Sequence, residues 1–306
     1  MTMYPQAPSS VVMIRPHHFY PNEETRQDNH FQTQAGQNQQ HLKELAYQQV
    51  TAVEKTLVNE GVSVHLFEDD SDETPDSVFP NNWFSTHSGG QIAIYPMYTE
   101  NRRRERRTDI IEYLKTHYRV QDIIDYSGLE HDELYLEGTG AMVLDHLERV
   151  AYAALSNRTN SYALERFCTH FNYEPMVFEA KDSNGVAIYH TNVLMCIGSE
   201  FVMGGFDLMT DSDRREQIIQ RFKQFGRQVI SLTESQINSF CGNAFELQGN
   251  SGRILVLSST AFNALTSQQI RVLEQSVKLL PLDVSAIELA GGSIRCMLAG
   301  VHLSRR

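Results

Sequence analysis

The sequence predicts an α/β fold closed as a five-bladed α/β propeller, and two coincident periods carry the prediction. Helical segments after the first begin near Thr108, Ser161, Asp213 and Ser267, strides of 53, 52 and 54 residues, which is a period typical of repeat architectures. A polar residue recurs at the same interval. Asn82, Glu137, His190, Asn243 and Cys296 stand 55, 53, 53 and 53 positions apart, each just before an apolar stretch. Like units arranged as a ring would bring these five side chains, one per unit, onto a single axis.

The first helix places Leu42, Ala46, Val50, Val53 and Leu57 at helical spacing, stops at Gly61 and is the longest of the five. The second carries Ile110, Ile111 and Leu114; the third aligns Leu164, Phe167, Cys168 and Phe171 on one face. Asp213 and Glu216 read as a capping pair ahead of Ile218, Phe222 and Phe225, with Gly226 closing the fourth helix. Thr266 and Gln269 repeat the device before Ile270, Leu273 and Val277. Short apolar runs such as 62–67 and 175–178 flank the helices, so each unit reads as strand, helix, strand.

With 306 residues and 41% hydrophobic content the chain can bury a sizeable core. A net charge of -12, from 38 acidic and 26 basic residues, disfavours nucleic acid and anionic membrane as partners and favours a small-molecule substrate. A homo-oligomeric state is left open. Cys168, Cys196, Cys241 and Cys296 form no C-x-x-C pair and read as reduced thiols. Residues 1–18 lack a basic segment followed by a long apolar one, and no run is long enough to span a bilayer, so the cytoplasm is the expected compartment.

Attack on a urea-like or amidine-like carbon, deactivated by nitrogen lone pairs, needs a strong nucleophile, and a thiolate suits the task. Cys296 is the candidate, because it holds the register position and follows the flexible turn Gly291-Gly292-Ser293. Cys168 lies on an apolar helix face and Cys196 in the apolar run 193–197, so both read as core thiols; Cys241, beside Asn243, stays open. His190 can protonate a departing nitrogen and then activate water, while Glu137 can orient His190 or accept from a substrate NH. A core thiol, a surface histidine and a solvated turn carboxylate are the ordinary readings of these three residue types, and the shared register sets them apart. Local pairs of zinc ligands are missing and Gly138-Thr139-Gly140 is too short for a phosphate loop, so neither metal nor cofactor is expected. The basic run 101–107 opens the second helix against its dipole. Guanidinium forks grip carboxylates in bidentate fashion, so one of Arg102 and Arg103, taken here as Arg103, is expected to hold a substrate α-carboxylate together with Arg158.

These residues resemble a known family. Residues 75–82 (PDSVFPNN) resemble the substrate loop of dimethylarginine dimethylaminohydrolases, 156–160 (SNRTN) their S-K-R-T-N motif, and 136–138 (LEG) their L-[DE]-G-G. Together with MIRP, FPNNWFSTH, NRRRERR, LEGTGAMVLD, YHTNVLMC, GNAFEL and GGSIRCM, in order along nearly the whole chain, they resemble more closely the bacterial citrulline utilisation hydrolases of the amidinotransferase, or pentein, superfamily. The resemblance implies a pentein fold, a single catalytic domain over 1–306 and a covalent mechanism without metal or organic cofactor. It implies Cys296 as nucleophile, His190 as general acid/base, Glu137 as catalytic carboxylate, Asp76 as a substrate-binding carboxylate, and Arg158 with Arg102 or Arg103 as carboxylate binders.

Two departures bear on the substrate. Asn81 and Asn82 replace an acidic pair of the dimethylarginine enzymes, and His190-Thr191-Asn192 replaces the H-x-D of arginine deiminases. Buried carboxylates suit a cationic guanidinium, whereas amides can both donate to a ureido oxygen and accept from its NH groups. Asn81, Asn82, Asn192 and Asn243 are therefore expected to bind a neutral ureido group, with citrulline hydrolysed to ornithine, ammonia and carbon dioxide. The competing readings are arginine deimination, dimethylarginine hydrolysis or amidino transfer, and a non-catalytic binding protein of the same shape.

Overall fold

Each unit of the repeat folds into a three-stranded sheet with one antiparallel and one parallel pair, giving an α/β fold with five small sheets. The computed structural model describes residues 5–33 and 39–306; residues 1–4, where the segment read for a leader begins, lie outside the described residues. β1 (Ser10–Pro16) pairs in parallel with β2 (Ser63–Asp69) across the helix Gln39–Asn59. In the second unit β3 (Phe84–His87) is antiparallel to β4 (Gln91–Ile94), which is parallel to β5 (Asp122–Asp125) beyond the helix Thr108–His117. The third unit repeats this with β6 (Val143–Asp145), β7 (Val150–Ala154), the helix Ser161–Phe171 and β8 (Glu174–Phe178). The fourth has β9 (Met195–Ile197), β10 (Phe201–Gly204), the helix Ser212–Gln224 and β11 (Gln228–Ser231). The fifth has β12 (Phe245–Gly249), β13 (Gly252–Ser258), the helices Ser259–Ala264 and Ser267–Leu273, and β14 (Lys278–Leu282).

A parallel pair needs a crossover longer than a hairpin, and the helix in each unit supplies it. β15 (Ala299–Gly300) then returns to pair antiparallel with β1, so the first sheet draws its third strand from the far end of the chain. One cavity is walled by residues of β3, β6, β9, β12 and β15, the antiparallel edge strand of every sheet.

Apolar spacing decided most helix faces as expected; Phe225, expected on the buried face of the fourth helix, is the exception, exposed at its C-cap. Leu42, Ala46, Val50, Val53 and Leu57 are buried, as are Leu164, Phe167, Cys168 and Phe171. Gly61 closes the first helix at φ +88, where a Cβ would fall 2.1 Å from the Asn250 side chain, so only glycine fits. The Thr266–Gln269 capping box is present, but the fourth helix is capped two residues earlier than expected: the Asp211 carboxylate, on extended backbone, accepts from the amides of Asp213 and Arg214. The basic run does not open the second helix. It forms its own turn, Glu100–Arg103, with Arg102 and Arg103 at the C-terminal end where cations complement the dipole. Val277 lies past the end of the fifth unit's helix and is buried ahead of β14. Among the described residues no helix is long and apolar enough to cross a membrane.

Phe222, fully buried in the largest apolar cluster, tests the packing. Phe222→Ala is expected to cost about 3–5 kcal/mol in urea denaturation. Tyr162→Ala, at a ring 68% exposed, is expected to change stability by no more than about 0.5 kcal/mol.

Candidate active site

The five periodic residues occupy equivalent points, each just ahead of its sheet's antiparallel edge strand. Asn82 ends the 3-10 turn Pro80–Asn82 before β3. Glu137 and His190 are the N-cap residues of one-turn helices, Gly138–Ala141 and Thr191–Leu194, that lead into β6 and β9. Asn243 and Cys296 sit in the turns before β12 and β15. All five are buried, and Asn82, His190 and Cys296 line one small pocket with Asp76, Arg102, Arg158 and Tyr189. The pocket leaves about 10 Å3, room for roughly one water, so a ligand must move part of its wall to enter. Gly138 matters to the packing here. Its φ is +50, and a Cβ would lie 2.5 Å from the Asn81 carbonyl oxygen, so glycine lets the second unit close against Glu137.

Glu137 is fully enclosed. Its Oε1 accepts the Tyr98 amide at 2.9 Å, and its Oε2 lies 2.8 Å from His190 Nε2, 3.4 Å from Arg158 Nη1 and 3.6 Å from Arg102 Nη1. Burial alone would raise this carboxyl, but Arg158, the His190 hydrogen bond and Arg102 together hold it well below the usual carboxylate range. For His190 the balance runs the other way: burial pushes the imidazole below its usual 6.5, and the Glu137 carboxylate only partly restores it. A neutral imidazole oriented by an anion is an arrangement fit for general base work.

Cys296 Sγ receives two amide N–H groups, from Asn192 Nδ2 and Asn243 Nδ2, each at 3.2 Å. Asn243 also donates to the Asn192 carbonyl and accepts the Arg295 amide, which fixes its orientation. Asn192 Oδ1 is buried without a partner. Burial pushes the other three thiols up to about 12. Cys241, left open by the sequence, donates to the Ala261 carbonyl inside the core and takes no part in the site.

The arginine and asparagine expectations need correction. Arg103 is not in the pocket; its Nε donates to the Met97 carbonyl and faces Glu130 at 3.5 Å. Arg102, one residue earlier on the turn, points inward instead, with Nη1 on Asn82 Oδ1 at 2.9 Å and its Nε and Nη2 edge on Glu105. Asn81 does not line the pocket. Its Nδ2 donates to Thr139 Oγ1 and its Oδ1 accepts from Asn82, so it braces the second and third units. Arg158 is in place, but its Nε and Nη2 edge is held by Asp28 at 2.8 and 2.5 Å. Asp76 Oδ2 accepts from Asn22, whereas Oδ1 is buried without a partner, and burial raises the carboxyl against the pull of Arg102.

Sequence reasoning missed Asp28 and Glu105. Glu105 had a signal, three residues after Arg102 within the basic run; Asp28 had none, standing 130 residues from its partner. Among the described residues no three of His, Cys, Asp and Glu are grouped to hold a metal ion.

Five like sheets, with histidine and glutamate in contact and a cysteine on the same pocket, define the pentein, or guanidino-group-modifying, class: cysteine-nucleophile hydrolases that act on carbon–nitrogen bonds other than peptide bonds. The family follows from the sequence, for the N,N-dimethylarginine dimethylhydrolase family, eukaryotic type, matches residues 15–303, and the chain belongs to it. No curated protein matches the chain in sequence.

Solved structures share the fold at low identity. The N-terminal domain of ArgZ, an arginine dihydrolase of the ornithine-ammonia cycle in cyanobacteria, solved as a substrate-bound mutant, is 17% identical with TM-score 0.70, over 94% of this chain and 96% of that one. Unliganded AgrE is 16% identical with TM-score 0.74, over 97% of this chain but only 40% of AgrE. A dimethylarginine dimethylaminohydrolase bound to 4-chloro-2-hydroxymethylpyridine is 14% identical with TM-score 0.65, over 98% of this chain and all of that one.

Replacing Glu137 tests the coupling to His190. In Glu137→Gln the imidazole loses the partner that raises its pKa, so by NMR it is expected to titrate at lower pH than in the wild type; an upward shift would contradict the contact. Because the folded-state value is depressed, the stability tied to neutral His190 is complete above its unfolded value near 6.5 and is lost as pH falls through the folded one.

Proposed function

We propose that this chain hydrolyses the ureido group of a free amino acid, citrulline, giving ornithine, ammonia and carbon dioxide. The five sheets act as blades of one closed ring and residues 1–306 as one catalytic domain, working in the cytoplasm on a small-molecule substrate. His190 takes the proton of Cys296, and the sulfur adds to the ureido carbon. Collapse breaks one carbon–nitrogen bond, and the amine leaves with the proton that His190 carries. Water deprotonated by His190 then displaces the sulfur, and the carbamate so formed breaks down to the second amine and carbon dioxide. Glu137 keeps the imidazole oriented and offsets its charge while it is protonated.

One observation carries the substrate choice: the sulfur is met by the amides of Asn192 and Asn243, not by carboxylates. The unpartnered Asn192 Oδ1 offers an acceptor for a ureido NH. A carboxylate beside a neutral ureido group would be left uncompensated.

A second reading, a guanidino substrate, is favoured by Asp76. Its buried Oδ1 has no partner, and the acid excess around Arg102 and Arg158, two cations facing Asp28, Asp76, Glu105 and Glu137, suits a cation. The family takes its name from dimethylarginine, and AgrE has been solved with L-arginine. A panel of citrulline, arginine and dimethylarginine, assayed for ornithine, citrulline and methylamines, separates the two readings. Citrulline formed from arginine with no turnover of citrulline would sink the first. In either case Cys296→Ser is expected to lower kcat by about 10³-fold or more.

Arg158 serves the substrate α-carboxylate by exchanging Asp28 for it. Asp28→Asn removes the competing anion and is expected to lower KM several-fold, read from steady-state kinetics; an unchanged KM would take Arg158 out of the binding site.

A further inference from the structure

Among the antiparallel edge strands of all five sheets lies the cavity noted above, with a volume of about 40 Å3. At roughly 10–15 Å3 per water it has room for about three waters or one small ion. Its lining includes Arg295, His146 and His302, and not one Asp or Glu, in a chain whose net charge is -12.

Arg295 is the anomaly. Its guanidinium lies 4.0 Å over the Phe245 ring, and Nη1 donates to the Leu298 carbonyl at 2.8 Å. Among the described residues Nε and Nη2 meet no acceptor, and no carboxylate pairs with this residue. The same Nε and Nη2 edge is the one by which Arg102 holds Glu105 and Arg158 holds Asp28. Burial lowers Arg295 to about 10, which leaves it charged at neutral pH. A half-buried cation with no carboxylate beside it among the described residues keeps its bidentate edge for an anion. His302 adds a second unmet group. Its ring packs on His146 at 4.0 Å, and its Nδ1 is buried without a partner.

We propose that this cavity is a binding site for a small planar oxyanion of the carboxylate type, formate or bicarbonate, seated on the free edge of Arg295. Bicarbonate has in addition an O–H group that can donate to His302 Nδ1. The site is joined to the nucleophile: the Arg295 amide donates to Asn243 Oδ1, and Asn243 Nδ2 donates to Cys296 Sγ, so an anion on Arg295 acts one residue from the sulfur. Nothing in this assignment depends on which substrate the sulfur attacks.

Thermal unfolding of the full chain tests it, with sodium formate or sodium bicarbonate replacing sodium chloride at constant ionic strength and pH. The wild type is expected to show a saturable rise in Tm of about 2 °C or more with at least one of the two, absent in Arg295→Met. A rise with bicarbonate alone supports the His302 contact; a rise with both supports the carboxylate edge alone. No rise with either, or an equal rise in Arg295→Met, overturns the site. Crystals of the wild type grown in formate give a check that needs no variant: formate beside Arg295 Nε and Nη2 supports the site, and water alone there overturns it.

Discussion

The carboxylate of Glu137 is the group on which the site depends. It is wholly removed from water, a state that an isolated anion does not survive, and it persists because four donors from separate stretches of chain converge on it. Tyr98 and Arg102 come from the second unit, Arg158 from its own, and His190 from the next. Each donor is itself buried or held by backbone, so the anion can be satisfied only when the units stand in their folded relation. Removing any one contact leaves the others facing an under-compensated charge.

That constraint explains why one backbone position can do several jobs. The point ahead of each antiparallel edge strand offers the same enclosure, three of the five positions reach the pocket itself, and the side chain placed there sets the role. Glutamate binds the cations, histidine takes the neighbouring orientation, asparagine at 243 donates to sulfur, and cysteine at 296 supplies the sulfur. Asn82 accepts from Arg102 and so ties the substrate wall to the same network. The chemistry comes from differences among equivalent positions, whereas the geometry comes from their likeness.

Arg102, Arg158 and Arg295 show how partners decide what a cation is for. Arg102 and Arg158 have their bidentate edges filled by Glu105 and Asp28, so in this conformation both stabilise the protein and neither is free for a ligand. Arg295, next to the nucleophile in the chain, keeps the corresponding edge open among the described residues, within a cavity whose lining holds no acid.

Much of this architecture is written along the chain. The fifty-odd-residue period, the apolar faces of the helices and the register of Asn82, Glu137, His190, Asn243 and Cys296 are one-dimensional signals, because helix and strand spacing is local and every unit repeats it. Which arginine turns inward was not legible: Arg102 and Arg103 are adjacent on one turn, and only the packing of Glu105, Asn82 and Glu137 around the first separates them. Asp28 filling the fork of Arg158, Asn81 bracing Thr139 and the acid-free cavity at Arg295 likewise join residues that periodicity does not relate. The sequence by itself determined which residue types recur and where. The tertiary structure decided which of them touch, since pairing of buried charges depends on distances across sheets that no local spacing encodes.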